Sequence, residues 1–264
     1  MNEFTAVLQD FEADLSRADD LLALVKAFRE FAGADVPPEV TRGAVFWPEA
    51  LRLAGLTPAV RTDMPVLAGS ILLYACGRFE SFARDLLVCL ADDMAVHALA
   101  YGDLPNSTRM ALLDQTLAIA QSPGRFGYDE QSAAALLVSL ASNLDGKGGS
   151  VSIASDILSI TENNMNSRML AELFKRVDIV DLWRDLGKQA PLKLHLSSVT
   201  DKECTLEAQR RLDSIMKERN KFAHPTNQVT FPDPDQVLET TSFLKVLCKV
   251  LVDVVQIPRN GSAT

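Results

Sequence analysis

Residues 219–225 near the C-terminus have the sequence Arg-Asn-Lys-Phe-Ala-His-Pro. Within six residues this segment contains a guanidinium, an amide and an imidazole side chain. The guanidinium of Arg219 can neutralise and orient a phosphate, and the amide of Asn220 can donate or accept a hydrogen bond. The imidazole of His224 can accept or release a proton near neutral pH. Together these groups can hold a phosphate, orient it and move a proton, so residues 219–224 form the candidate active site.

The residues before this motif have the spacing of an amphipathic helix, which is predicted over Glu207 to Ala223. Arg219 occupies a position in the apolar stripe where leucine or isoleucine would be expected. A guanidinium on an apolar face is unfavourable unless it is paired or faces a wet cleft. Arg219 is therefore predicted to lie at a polar seam between helices or subunits. The stripe consists of Ala208, Leu212, Ile215, Met216, Phe222 and Ala223.

Pro225 sets the predicted end of this helix. On a continuous helix, His224 would lie roughly 140° around the axis from Arg219, so the two would not share a face. The residue before a proline is disfavoured in the helical region, so the helix is predicted to stop near Ala223. His224 would then cap a helix end whose partial negative charge favours the protonated imidazole. The alternative interpretation is a capping histidine beside a structural arginine, with no catalytic role.

A second charged residue, Glu80, interrupts an apolar stripe earlier in the chain. One interpretation is a surface pair with Arg84, four residues later on the same helix. The other is that Glu80 meets Arg219 or His224 across a helix pair, where its carboxylate would fix the guanidinium or the imidazole tautomer. The sequence leaves both open. The interrupted stripe consists of Leu73, Cys76, Ala83 and Leu87.

The composition favours a folded, helical, acidic protein. With 264 residues, 47% of them hydrophobic, the chain can form one large domain or two small ones. Long segments with helical spacing dominate, so an all-α fold is predicted. The formal net charge is −9, unlike the basic surface of a non-specific nucleic-acid binder. RNA binding would therefore have to be local and supported by a cleft, a dimer or a partner.

No metal or other cofactor is predicted, because the four cysteines and three histidines are scattered without ligand spacing. The N-terminus lacks the basic leader and apolar run of a signal peptide. The most apolar stretch, residues 66–76, is too short to span a membrane and runs into Arg78 and Glu80. A cytoplasmic protein with reduced thiols and no membrane partner is expected.

Helical spacing predicts further elements on both sides of these residues. Asn166 or Ser167 is the predicted N-cap of one of them. The glycine-rich residues 145–149 lack the order of a phosphate-binding loop and are predicted to be a connector. The predicted helices cover residues 4–31, 49–53, 64–100, 107–121, 129–143, 168–177, 181–186 and 233–255.

Three segments of the chain resemble the RiboL-PSP-HEPN group of the HEPN superfamily. They are YACGRFESFARDLL at residues 74–87, NNMNSRMLAELFKRVDI at residues 163–179, and RNKFAH at residues 219–224. The last is similar to the R-N-x-x-x-H signature of the superfamily, many of whose members are metal-independent ribonucleases. The resemblance implies an antiparallel helical bundle of the HEPN type. It divides the chain into an N-terminal helical extension (1–60), a HEPN-like domain (61–257) and a flexible tail (258–264).

The resemblance also implies an activity and roles for individual residues. Two protomers would form a homodimer whose Arg219 and His224 side chains line one cleft. RNA would be cut by attack of the 2′-OH, leaving a 2′,3′-cyclic phosphate. Arg219 would stabilise the phosphorane charge, His224 would act as general acid or base, Asn220 would orient the phosphate or the histidine, and Glu80 would support Arg219. Pro225 departs from the family pattern, in which a small residue often follows the histidine.

Two functions are compatible with this resemblance. The first is an endoribonuclease of a toxin–antitoxin or antiviral defence system, with RNA as substrate and an antitoxin or another regulatory protein as partner. The second is a non-catalytic HEPN dimerisation module that binds a protein or nucleotide partner. The intact Arg219, Asn220 and His224 favour the enzyme, whereas the acidic charge favours the binding module. A nucleotide-binding antitoxin partner would share the fold.

Overall fold

The computed structural model describes residues 3–35, 48–60, 64–146, 151–161, 164–223 and 231–257. Over these ranges the chain forms eleven α-helices and two short 3₁₀ helices, and it contains no β-strand, which confirms the all-α prediction. The 3₁₀ helices are Tyr101–Asp103 and Pro123–Phe126. The α-helices are α1 Glu3–Gly33, α2 Pro48–Val60, α3 Met64–His97, α4 Asn106–Gln121, α5 Glu130–Asp145, α6 Ser155–Leu158, α7 Ser167–Lys175, α8 Leu182–Gly187, α9 Ala190–His195, α10 Asp201–Ala223 and α11 Pro234–Val255.

Helix boundaries differ from the prediction where short-range patterns are weak. Helix α2 extends to Val60, although only residues 49–53 were predicted as helical. Its first residue is Pro48, whose fixed φ suits the first turn of a helix. Helices α6 and α9 were not predicted, because four and six residues are too few to show a helical period.

Helix α3 has the buried stripe of a core helix. Its fully buried residues recur at intervals of three and four positions, as helical packing requires. Among the described helices, α3 alone is long and apolar enough for a membrane crossing, with a mean hydropathy of 1.2 over a window of 18 residues. Core helices of soluble proteins share that property. The buried stripe includes Leu72, Ala75, Cys76, Phe79, Phe82, Ala83, Leu86 and Leu87.

The chain divides into two compact units. Unit 1 consists of the described parts of Met1–Asp10, Phe79–Ser214 and Val246–Thr264. Unit 2 consists of the described parts of Phe11–Arg78 and Ile215–Lys245. The sequence-based division at residues 60 and 257 stays a prediction, and the tail at 258–264 lies outside the described residues.

In unit 1, a polar network ties the Asn-led helix α7 to helices α8 and α10. Asn166 caps α7, its Oδ1 accepting a 2.9 Å hydrogen bond from the Met169 amide. The amide and hydroxyl of Ser167 donate to the two carboxylate oxygens of Asp213 on α10, at 2.8 and 2.9 Å. The indole N–H of the buried Trp183 donates to the Ser167 carbonyl at 2.7 Å. These bonds satisfy polar groups at the start of α7 that burial would otherwise leave without partners.

Helices α8 and α10 meet at Gly187, where a side chain has no room. A Cβ atom at this position would overlap Thr205 Oγ1 and lie 2.8 Å from the Asp201 carbonyl oxygen. We expect Gly187→Ala to lower the free energy of unfolding by about 1–3 kcal/mol, the usual effect of overpacking. Gly77→Ala on α3 is the control, since a Cβ there meets no heavy atom within 4 Å. It should raise stability by about 0.5–1 kcal/mol. Urea unfolding measures both variants, and equal midpoints would contradict the close packing.

In unit 2, a row of ion pairs joins α1 to α11 and to Asp233 just before it. The carboxylate of Asp19 accepts from Lys245 Nζ at 2.6 Å and from the Thr241 hydroxyl at 2.5 Å. Farther along α1, Lys26 pairs with Asp235 and Arg29 pairs with Asp233. The ion pairs fix the register of α1 against the helix that follows the motif segment. Buried apolar side chains in this unit include Phe11, Leu15, Leu22, Phe243 and Leu244.

Candidate active site

Arg219 lies in the last two turns of α10 and is partly buried. Ile215 and Met216, one turn earlier, are buried, as the predicted apolar stripe requires. Phe222 is partly buried, whereas Ala223, which was counted in the stripe, is exposed. The arginine thus follows directly on the buried part of the stripe, on a helix whose described part ends at Ala223.

The structure brings Arg219 and Asn220 together. Nη1 of Arg219 donates a hydrogen bond to Oδ1 of Asn220 at 3.3 Å, within unit 2. Successive residues of a helix do not face each other, so this contact requires the long arginine side chain to fold back along the helix. At 3.3 Å the bond is longer than the usual 2.9–3.0 Å. Asn220 was predicted to orient the phosphate or the histidine, and that role stays a prediction; the structure shows its side-chain oxygen accepting from the guanidinium.

The last turns of α10 carry an excess of positive charge. Between residues 215 and 223 there are three cationic side chains and one carboxylate, in a chain whose formal net charge is −9. Lys217, Lys221 and Glu218 are exposed, whereas Arg219 is partly buried. The free carbonyl groups at the C-terminal end of a helix repel a phosphate. The cationic side chains at this end of α10 would offset that repulsion.

His224 lies outside the described residues, together with Pro225 and the rest of 224–230. Its place at the helix end and its catalytic role stay predictions. The residues that flank this segment are described: the rings of Phe222 and Phe231 are stacked, with centroids 5.6 Å apart and planes 12° from parallel. This pair was not predicted from the sequence. The one available signal was an aromatic residue on each side of a proline-containing segment.

Glu80 belongs to unit 1 and Arg219 to unit 2, and their pairing stays a prediction. Oε1 of Glu80 is buried and has no hydrogen-bond partner among the described residues. Arg84, its predicted surface partner, donates instead from Nη2 to the Thr161 hydroxyl at 3.0 Å. A buried carboxylate oxygen without a donor is unfavourable, so Glu80 retains the capacity to accept a further hydrogen bond.

Tyr74 and Arg78, in the first of the three family-like segments, converge on Asp14 of α1. Arg78 Nε and Arg17 Nη1 lie 2.5 and 2.7 Å from the two carboxylate oxygens of Asp14. Burial and then the hydrogen bond to Asp14 raise the pKa of Tyr74. A phenol is protonated at neutral pH even at its ordinary pKa near 10, and this shift favours the protonated form further. These residues link α1 to α3 within unit 2.

In the described part of the chain, no group of three or more His, Cys, Asp or Glu side chains is placed so that it could bind a metal ion. The chemistry that the described site residues can perform is anion binding and charge neutralisation through Arg219. Proton transfer depends on His224.

A sequence model of the RiboL-PSP-HEPN family matches residues 53–256, a range that contains all three family-like segments. No curated protein and no solved structure matches the chain.

Proposed function

The chain belongs to the RiboL-PSP-HEPN family, and we propose that it is a metal-independent endoribonuclease of a toxin–antitoxin or antiviral defence system. HEPN domains are often nucleases, so the family match supports a nuclease in general terms. The observation that carries the more specific proposal is the partly buried Arg219, held by Asn220 at a cationic helix end five residues before His224. In this proposal Arg219 is the phosphate clamp, and His224, five residues later in the sequence, transfers the protons.

The proposed reaction is an internal transesterification within one RNA strand. His224 of one protomer accepts the proton of a ribose 2′-OH, and the 2′ oxygen attacks the adjacent phosphorus. Arg219 neutralises the charge that develops on the phosphorane oxygens. The bond from phosphorus to the 5′ oxygen then breaks, and the leaving oxygen takes a proton from the other protomer's His224. The products are a 2′,3′-cyclic phosphate and a 5′-hydroxyl. No water molecule or metal ion enters these steps.

This mechanism predicts that cleavage by the purified wild-type protein continues in excess EDTA. It also predicts that a single 2′-deoxy substitution at the scissile nucleotide abolishes cleavage, because the nucleophile is missing. Mass spectrometry of the 5′ fragment should show the mass of a cyclic phosphate. Inhibition by EDTA, or equal cleavage of RNA and DNA, would contradict the mechanism. The matched control is an oligonucleotide whose 2′-deoxy substitution lies several nucleotides from the cut.

The alternative is a non-catalytic dimer module that binds a protein or nucleotide partner, and the net charge of −9 favours it. An acidic protein gains little non-specific attraction to RNA. If wild-type protein cuts no RNA at low ionic strength, where electrostatic binding is strongest, this alternative becomes the better account. A defence-system partner protein would then be sought by purification from the native host.

A further inference from the structure

We propose that the stacked rings of Phe222 and Phe231, resting on Gly69 of α3, form a positioning device for the catalytic end of α10. We call these three residues the aromatic clamp. The proposal rests on the ribonuclease function proposed above and assigns a role in it to residues outside the family signature. Phe222 and Phe231 are positioning residues, since they act through Arg219 and His224.

The clamp joins two points that are nine residues apart in the sequence. Phe222 is in the last turn of α10, and Phe231 lies three residues before the start of α11 at Pro234. Their ring centroids are 5.6 Å apart, and an interplanar angle of 12° makes the contact a stack. Aromatic pairs in this distance range attract each other beyond the effect of burying their area. The stack therefore holds together the two ends of the segment that contains His224.

Gly69 provides the surface on which the stack rests. A Cβ atom at this position would lie 2.9 Å from Cδ1 of Phe231 and 3.8 Å from Cδ1 of Phe222. The ring of Phe231 thus lies against the backbone of α3, closer than a side chain at Gly69 would allow, whereas the ring of Phe222 would be at an ordinary van der Waals distance from it. Glycine inside a helix lowers helix stability. Gly69 is nevertheless buried inside α3, at the point where the Phe231 ring comes closest to the helix backbone. Close packing of the rings against α3 accounts for a glycine at this position.

The clamp is close in sequence to both catalytic groups. Phe222 is three residues after Arg219, so the two side chains are neighbours on the helix surface. It is also two residues before His224. Catalysis depends on geometry within fractions of an ångström, and a displacement of about 1 Å can lower a rate by roughly 10²-fold. A rigid stack next to Arg219, at the described end of α10, would limit such displacements.

The first test compares turnover in Phe231→Ala, Phe231→Tyr and wild type. We expect Phe231→Ala to lower kcat by roughly 10–100-fold and to leave KM for an RNA oligonucleotide within about twofold, because Arg219 still binds the phosphate. Phe231→Tyr keeps the ring and should restore most of kcat. The matched control is Phe126→Ala, which removes a partly buried ring in unit 1. Equal losses in Phe231→Ala and Phe126→Ala, or no recovery in Phe231→Tyr, would overturn the proposal.

A second pair of variants tests the contact with α3 without removing a ring. Gly69→Ala places a methyl group against Phe231, whereas Gly77→Ala adds a methyl to the same helix where no heavy atom lies within 4 Å. We expect Gly69→Ala to lower kcat severalfold and Gly77→Ala to leave it unchanged. Identical kcat values for the two variants would count against the role of Gly69. Both are small changes, so they remain informative if Phe231→Ala does not fold.

An NMR measurement separates failure of this proposal from failure of the proposed function. The chain has three histidines, and the ring resonance of His224 is identified by its loss in His224→Ala. We expect this resonance to shift in Phe231→Ala and to remain unchanged in Phe126→Ala. If wild type cuts no RNA but the resonance shifts, the clamp positions His224 and the ribonuclease proposal fails. If wild type cuts RNA, and Phe231→Ala changes neither the resonance nor kcat, the clamp proposal fails alone.

Discussion

Replacement of His224 by alanine is expected to lower the rate constant of RNA cleavage by about 10²–10⁴-fold, the usual contribution of general acid–base catalysis. The imidazole is the one side chain of the motif whose ordinary pKa lets it both accept and release a proton near neutral pH. Binding of an uncleavable 2′-deoxy oligonucleotide should persist, because Arg219 remains to hold the phosphate. Single-turnover cleavage and fluorescence anisotropy measure the two quantities separately.

The matched control for this prediction is His97→Ala. His97 is exposed at the end of α3 and contacts the Asp93 carbonyl oxygen of the same helix at 2.7 Å. Its removal should leave the rate within about twofold, since exposed substitutions rarely alter structure. Equal rates for wild type and His224→Ala would exclude the proposed proton transfer.

Subunit mixing tests whether two protomers share the proton transfers. If one His224 is the base and its partner's His224 is the acid, a mixed dimer of wild type and His224→Ala is inactive. Activity should then fall as the square of the wild-type fraction after the subunits exchange. A linear decrease would show that each protomer works alone, and the proposed dimer cleft would be wrong.

The long helices could be predicted because one face of each carries apolar residues at helical spacing. The start of α10 is marked instead by a capping sequence, which the spacing of apolar residues does not reveal. The helix begins at Asp201, six residues before the predicted Glu207. Thr200 and Glu203 form a reciprocal cap: the Thr200 amide donates to Glu203 at 3.0 Å, and the Glu203 amide donates to Thr200 Oγ1 at 3.2 Å. The backbone hydrogen bond from Thr200 lowers the pKa of Glu203. The capping sequence Thr-x-x-Glu was present in the chain and marks a helix start.

The candidate site was only partly predictable, for a physical reason. Arg219 was identified because a guanidinium interrupts an apolar stripe, and Asn220 because it belongs to the R-N-x-x-x-H signature that the chain resembles. The bond between them is a choice of side-chain conformation, which no residue pattern specifies. The stack of Phe222, Phe231 and Gly69 depends on the packing of three separate segments. Local periodicity carries no information on such contacts, because it reports only which face of each helix is buried.

Replacement of Arg219 by alanine is expected to lower the cleavage rate by about 10²–10³-fold, comparable with the loss of one charge-stabilising donor in other active sites. Arg219→Lys keeps the charge but lacks the planar fork that binds a phosphate through two parallel hydrogen bonds. It should therefore recover only part of the rate. Asn220→Ala removes the acceptor that Arg219 Nη1 contacts at 3.3 Å. A hydrogen bond of this kind contributes about 0.5–1.5 kcal/mol, so the loss should stay near tenfold or below.

Variants of the two exposed lysines at the same helix end test whether Arg219 acts specifically or only through its positive charge. Lys217→Ala and Lys221→Ala each remove one positive charge at exposed positions within two residues of Arg219. Exposed charges act mainly on association and on its salt dependence, so these variants should raise KM at moderate salt and leave kcat nearly unchanged. Arg219→Ala should lower kcat at every salt concentration, because its guanidinium acts on charge that develops in the transition state. If all three variants lose activity equally, and high salt removes the differences, Arg219 contributes only to the general cationic field and the phosphate-clamp role is wrong.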